Sequence, residues 1–199
     1  MRRSILALGL AAALHSCEPT SPLPEGSTAT PGDPASRDRF GFGAPASDAL
    51  IAAWDIDVGP DGAGLPAGGS RVADGLAVYE AKCAVCHGAD GTGGPNDRLA
   101  GRIPDDAFPF ATDPQAPYTV GSYWPYATTL FDYIRKAMPF DAPGSLTNRE
   151  VYGVVGAVLH FNDLLAADAL VDSATIAGLR MPSRDRFVRD DRGAGPAAR

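Results

Sequence analysis

Cys83-Ala84-Val85-Cys86-His87 reads as C-x-x-C-H, two thiols with an imidazole directly behind the second. In this spacing both thiols add across the vinyl groups of a haem, and the adjoining imidazole is thereby fixed beneath the iron. A redox C-x-x-C needs a βαβ setting, and a structural zinc site needs four ligands. No strand pattern of useful length surrounds the motif, and His160 is the one further imidazole after residue 17. One covalently bound haem c is therefore the expected cofactor.

Helical stripes surround the motif. Val72, Leu76, Tyr79 and Cys83 fall at steps of four, three and four, the stripe of an amphipathic helix that delivers Cys83 to the core. Over 126–137, Leu130, Ile134 and Ala137 give a second face, with Arg135 and Lys136 opposing the negative end of the helix dipole. Pro139 stops that helix and forces Met138 towards extended backbone. Thr147 and Glu150 have capping-box spacing, Leu146 and Val151 sit at the staple positions, and Val151, Val154, Val155, Val158 and Leu159 form the apolar face that follows. Shorter helices are expected over 47–54 and 173–179. The fold class read from this pattern is all-α, three or more helices around one covalently bound haem, with loop-rich extensions.

His87 supplies one axial ligand, and the second decides what the iron can do. Met138 stands in a break between two helices, where a thioether can reach the open haem face. A Met/His pair raises the reduction potential and, by filling the iron, turns off ligand chemistry. Met181 also precedes a proline and is the rival; His160 and an open position are the other options. The second ring nitrogen of His87 needs an acceptor, and the Pro95 carbonyl in the loop after the motif is a candidate. Trp124 and Tyr126, with Arg98 and Arg102, either donate hydrogen bonds to the haem propionates or build the pocket wall.

The 199 residues carry a net charge of −7, with 23 glycines and 18 prolines. That acidity argues against a nucleic-acid partner, and the glycine and proline content against a loop-poor domain. Lysine is confined to Lys82 and Lys136, so docking through a lysine ring is not expected; an apolar rim steered by scattered arginines is. Arg2 and Arg3, an apolar run from Ile5 to Leu14, and Leu14-His15-Ser16-Cys17 read as a lipoprotein signal peptide, 1–16, ending at an acylated Cys17. The apolar run is roughly half of what a bilayer-spanning helix needs. Residues 17–39 are then a lipid-anchored flexible linker, 40–69 an N-terminal extension, 70–166 the haem domain and 167–199 a C-terminal extension. Export to the periplasm, with a membrane contact through the lipid, follows.

Gly91-x-Gly93 after the motif, a methionine ahead of Leu146-Thr147-x-x-Glu150-Val151, and the helix before Cys83 together resemble a class I cytochrome c. That resemblance implies crossing N- and C-terminal helices with Gly75 and Tyr79 at the contact. Ala157 stands where the class often has an aromatic, so the crossing is either closer or completed by Tyr152 or Phe161. A narrower resemblance runs from Phe40 to Asp185, through Ala52-Ala53-Trp54-Asp55-Ile56-Asp57-Val58, Thr119 to Thr129 with its Trp124-Pro125-Tyr126, Ala137-Met138-Pro139-Phe140, Pro143-Gly144-Ser145-Leu146-Thr147 and Met181-Pro182-Ser183-Arg184-Asp185. It is similar to the cytochrome subunits of bacterial sulfite and sulfane-sulfur dehydrogenases. What it implies is His87 and Met138 as haem ligands, Cys83 and Cys86 as attachment points, and electrons accepted from a molybdenum-cofactor dehydrogenase subunit and passed to a downstream cytochrome or oxidase. The chain would carry single electrons without catalysis of its own. Two other readings stay open: a free-standing tethered carrier serving a terminal oxidase or peroxidase, and an open-iron haem enzyme or gas sensor.

Overall fold

The helix Asn148–Phe161 (α6) organises the domain. Thr147 caps it by accepting from the Glu150 backbone N–H at 3.3 Å, while the Glu150 carboxylate accepts from the Thr147 N–H at 2.8 Å. Every residue from Val151 to Leu159 is buried, so the apolar face expected from the sequence extends around the whole helix. It is covered by Val72–Lys82 (α2), Ala127–Ala137 (α5) and a two-stranded antiparallel ladder, Gly69–Arg71 (β1) against Leu170–Asp172 (β2). Strands of three residues are too short to print a period-two pattern, which is why the all-α reading passed over this ladder.

The structure, a computed structural model, describes residues 44–103 and 107–188. The signal peptide, Cys17 and the linker assigned to 1–39 lie outside the described residues. Asp48–Trp54 (α1) is capped by Ser47, and Ala84–His87 (α3), Val120–Tyr123 (α4) and Ser173–Gly178 (α7) complete the α-helices of the described residues. The stretch after α1 is stitched to α5: the Val58 N–H donates to Asp132 at 2.9 Å, Thr128 donates to the Pro60 carbonyl at 3.1 Å, and Lys136 pairs with Asp57 and Asp132. Residues 167–188, set apart in the sequence as an extension, send Val171, Ile176 and Met181 into the same core.

α2 and α6 cross at a glycine pair. A Cβ on Gly75 would stand 1.9 Å from the Gly153 carbonyl oxygen. About one turn further along α2 and two along α6, Tyr79 meets Phe161 edge-to-face at 5.0 Å. Both devices proposed to replace the aromatic absent at Ala157 are thus present, a closer approach and Phe161. Tyr152 serves elsewhere, its ring tilted against Phe131 at 4.5 Å with its hydroxyl donating to the Pro66 carbonyl.

Glu150 also pairs with Lys82 of α2 at 2.7 Å. Hydrogen bonds from Lys82 and then from Thr147 hold its carboxyl down to about 2. A depressed carboxylate stabilises the fold above its unfolded value, and that share is lost as the pH falls through the folded value. With an unfolded value of about 4.3, the loss spans about pH 4.3 to about 2. Replacing Glu150 by Gln should lower unfolding free energy at neutral pH, and urea titrations should show the gap to wild type closing across that window.

A methyl group at Gly75 has backbone in its way, whereas nothing lies within 4 Å of a Cβ at Gly178. Gly75→Ala should lose about 3 kcal/mol or more in denaturant unfolding through overpacking, with Gly178→Ala near neutral. Equal stability of the two variants would contradict the close crossing.

Candidate haem-binding site

α2 ends on Cys83, whose N–H donates to the Tyr79 carbonyl at 2.8 Å. The Cys83 carbonyl then accepts from both Cys86 and His87, at 3.1 and 3.0 Å, and this opens the four-residue helix α3. Two thiols and an imidazole are thereby presented from one tight turn. Neither thiol is in a disulfide and both are half-buried. Burial pushes the Cys83 thiol up to about 11, with Lys82 opposing and Cys86 adding to the shift.

Gly88 ends α3 at φ 83°, a left-handed conformation that an L side chain resists. The chain then folds back on the motif. Gly93 N–H donates to the His87 carbonyl at 3.1 Å and Asn96 N–H to the Cys86 carbonyl at 3.0 Å. That second bond carries the next carbonyl, Asp97's, to 2.7 Å from His87 Nδ1. A carbonyl only accepts, so Nδ1 holds the proton and Nε2 keeps its lone pair, the tautomer a metal ligand requires. The acceptor is therefore Asp97 and not Pro95, which is exposed two residues earlier. Only the backbone clamp at Asn96 selects between neighbouring carbonyls, and nothing in the sequence prints it. Tyr79 closes the back of the loop by donating to the Gly88 carbonyl at 3.0 Å.

Met138 is the C-terminal cap of α5, extended at φ −122° and ψ 147° as Pro139 demands, with its N–H on the Ile134 carbonyl. Its side chain is half-buried, and Cys83, Leu99 and Trp124 are half-buried against the same apolar core. Met181 is 1% exposed and enclosed in that core. His160 spends Nδ1 on the Leu165 carbonyl at 2.9 Å.

Trp124 and Tyr126 are linked through Thr129: the indole N–H donates to the Thr129 hydroxyl, which donates to the Tyr126 carbonyl, each at 3.0 Å. The indole donor is thus used inside the protein, which favours the wall over the propionate role for Trp124. Arg184 lies over the Tyr126 ring at 5.2 Å. Arg98 is exposed and bonds its own loop, its Nε donating to the Thr92 carbonyl at 3.0 Å; Arg102 is partly buried. Sequence reasoning missed Asp97, Thr129, Asn162 and Ser183. Ser183 lies inside the Met181–Asp185 stretch that carries the resemblance, so its signal was available.

The donor set fits a haem c: paired free thiols, an imidazole with the correct tautomer, a thioether at a helix break, and a half-buried apolar rim. Among the described residues no three His, Cys, Asp or Glu side chains converge as a metal-ion cage.

Residues 70–156 match the family described as cytochrome c oxidase, cbb3-type, subunit III. The thiosulfate dehydrogenase of Allochromatium vinosum is 35% identical over 85 residues, 43% of this chain and 29% of that protein. The chain therefore spans less than a third of that relative's length. One chain of the crystal structure of the sulfane dehydrogenase SoxCD from Paracoccus pantotrophus is 35% identical, with a TM-score of 0.68 over 77% of this chain and 74% of that one. With the haem motif at the head of its fold and that likeness over most of both chains, this protein belongs to the class I c-type cytochromes, among the cytochrome subunits of bacterial sulfur dehydrogenases.

Proposed function

We propose that the chain is a mono-haem electron carrier that takes single electrons from a periplasmic molybdenum-cofactor dehydrogenase acting on sulfite or sulfane sulfur. The observation that carries this reading is the α3 turn, with His87 locked by Asp97 into a ligating tautomer. When bound, the haem supplies a one-electron couple. Cys83 and Cys86 would hold it covalently, His87 Nε2 and the Met138 sulfur would supply its iron ligands, and Trp124 and Tyr126 would line the pocket. Arg98 and Pro95 belong to the loop after the motif, Arg98 tied to that loop through the Thr92 carbonyl and Pro95 with no bond to His87, whose Nδ1 meets Asp97.

Met138 is accessible at a helix end, whereas Met181 could ligate only by leaving the core. Met138→Ala should abolish the weak absorption band near the red edge of the oxidised spectrum and admit carbon monoxide to the reduced form. Met181→Ala should keep the band and lose about 2–5 kcal/mol of stability. The reverse outcome would hand ligation to Met181, and carbon monoxide binding by the unaltered protein would favour the open-iron enzyme or sensor.

The family match over 70–156 to an oxidase subunit favours a second reading, a tethered carrier delivering electrons to a terminal oxidase. The two readings differ in what accompanies the protein. We expect native membranes solubilised in detergent to yield the cytochrome together with a molybdenum subunit, and sulfite or thiosulfate to reduce it only in that company. Acylation at Cys17 holds the chain at the membrane, so Cys17→Ser should move it to the soluble fraction. Recovery with an oxidase and no dehydrogenase would support the second reading against the first.

A further inference from the structure

We infer that Asn162 is a positioning residue for the loop that orients His87, acting from inside the domain through the Leu99 carbonyl. The inference rests on His87 being a haem ligand, as proposed above. Asn162 caps the C-terminus of α6 and is 0% exposed. Its Nδ2 donates to the Val158 carbonyl at 2.8 Å and to the Leu99 carbonyl at 3.0 Å. Both partners are carbonyls, so the amide orientation is fixed by chemistry. Its Oδ1 is buried with no hydrogen-bond partner among the described residues, turned towards Gly121, where a Cβ would stand 2.6 Å from it.

A buried acceptor without a donor costs as much as a lost hydrogen bond, and an apolar side chain of the same size would avoid that cost. What the amide contributes must therefore lie in its two donations. The Val158 bond is an ordinary helix cap. The Leu99 bond is not local: it crosses 63 positions in the chain, to a carbonyl that also accepts from the Val120 N–H at 3.0 Å. Leu99 is thus held from α4 and α6 at once.

Leu99 and Ala100 in turn close the haem-motif loop, both donating their N–H to the Gly91 carbonyl, at 2.7 and 2.9 Å. Two residues before Leu99 is Asp97, whose carbonyl meets His87 Nδ1. A fixed Leu99 carbonyl therefore restricts where the Asp97 carbonyl can sit. A shorter and straighter Nδ1–H···O bond makes the imidazole a better donor and favours the oxidised iron. Loosening it should raise the potential.

The test uses the holoprotein with Asn162→Leu, Gly121→Ala, which presses on the same carboxamide, and Ile176→Ala, a buried change elsewhere in the core. The readouts are midpoint potential, exchange rate of the His87 Nδ1 proton by NMR in the reduced form, the red-edge band and Tm. We expect Asn162→Leu and Gly121→Ala to shift the potential upward and to speed Nδ1 exchange roughly tenfold, keeping the band. Ile176→Ala should lower Tm and leave potential and exchange alone. A wild-type potential and exchange rate in Asn162→Leu, whatever its Tm, would reduce Asn162 to a helix cap. Should Asn162→Leu not fold, unchanged values in Gly121→Ala overturn the inference equally. Wild-type protein that lacks attached haem or the red-edge band would instead sink the ligand assignment on which this rests.

Discussion

The close crossing of α2 and α6 sets the position of everything the haem site uses. Gly75 and Gly153 bring the two backbones together where any side chain on Gly75 would strike the opposite carbonyl. From that contact α2 runs directly to Cys83, and Tyr79 on the way packs on Phe161 and bonds the Gly88 carbonyl. The motif is thus indexed to α6. α5 packs on the same helix and ends at Met138, so both proposed ligand segments are measured from one buried element. A β-branched or bulky residue at either glycine would shift the thiols and His87 relative to Met138 without touching any of them.

The C-terminal segment braces the proposed pocket wall. Met181 is its buried anchor. Two residues on, the Ser183 hydroxyl bridges the Tyr123 and Trp124 carbonyls, at 2.9 Å each. Arg184 covers Tyr126, Arg186 lies over Phe110 at 4.4 Å, and Phe187 meets Tyr123 edge-to-face at 5.3 Å. Tyr123 also packs on Tyr118 and Phe108. Edge-to-face pairs of this kind each contribute about 0.5–1.5 kcal/mol beyond simple burial. The proposed wall therefore depends on chain far from the haem motif.

Much of this was legible because the signals were local. The stripe Val72, Leu76, Tyr79 and Cys83, the capping box at Thr147 and Glu150, and the Met138-Pro139 stop are each written within one or two turns of chain, and the elements stand where those signals put them. What escaped reading is set by contacts between distant segments. The choice of Asp97 over Pro95 depends on the Asn96 N–H finding the Cys86 carbonyl. The burial of Asn162 depends on Leu99 and Gly121 arriving from elsewhere; a polar residue just past an apolar helix reads as an exposed cap. Ser70 and Val171 pair across the domain in strands too short to show a period.

The charges left on the surface also follow from this packing. The chain has two lysines, and both are committed to the fold: Lys82 bonds Glu150 across the α2–α6 crossing, and Lys136 is drawn to Asp57 and Asp132 at the end of α5. Arg149 pairs with Asp74 and Arg180 with Asp185. Lysine therefore offers little charge to steer an encounter over distance, and the net charge is negative. What stands exposed beside the ligand segments is apolar: Val85, inside the motif, at 79%, and Phe140, two residues beyond Met138, at 82%. Apolar contacts act at short range and are barely screened by salt. For the proposed carrier, apolar contacts of this kind would gain most from being kept near a partner, and that is the arrangement a lipid on Cys17 and a stable subunit contact would each provide.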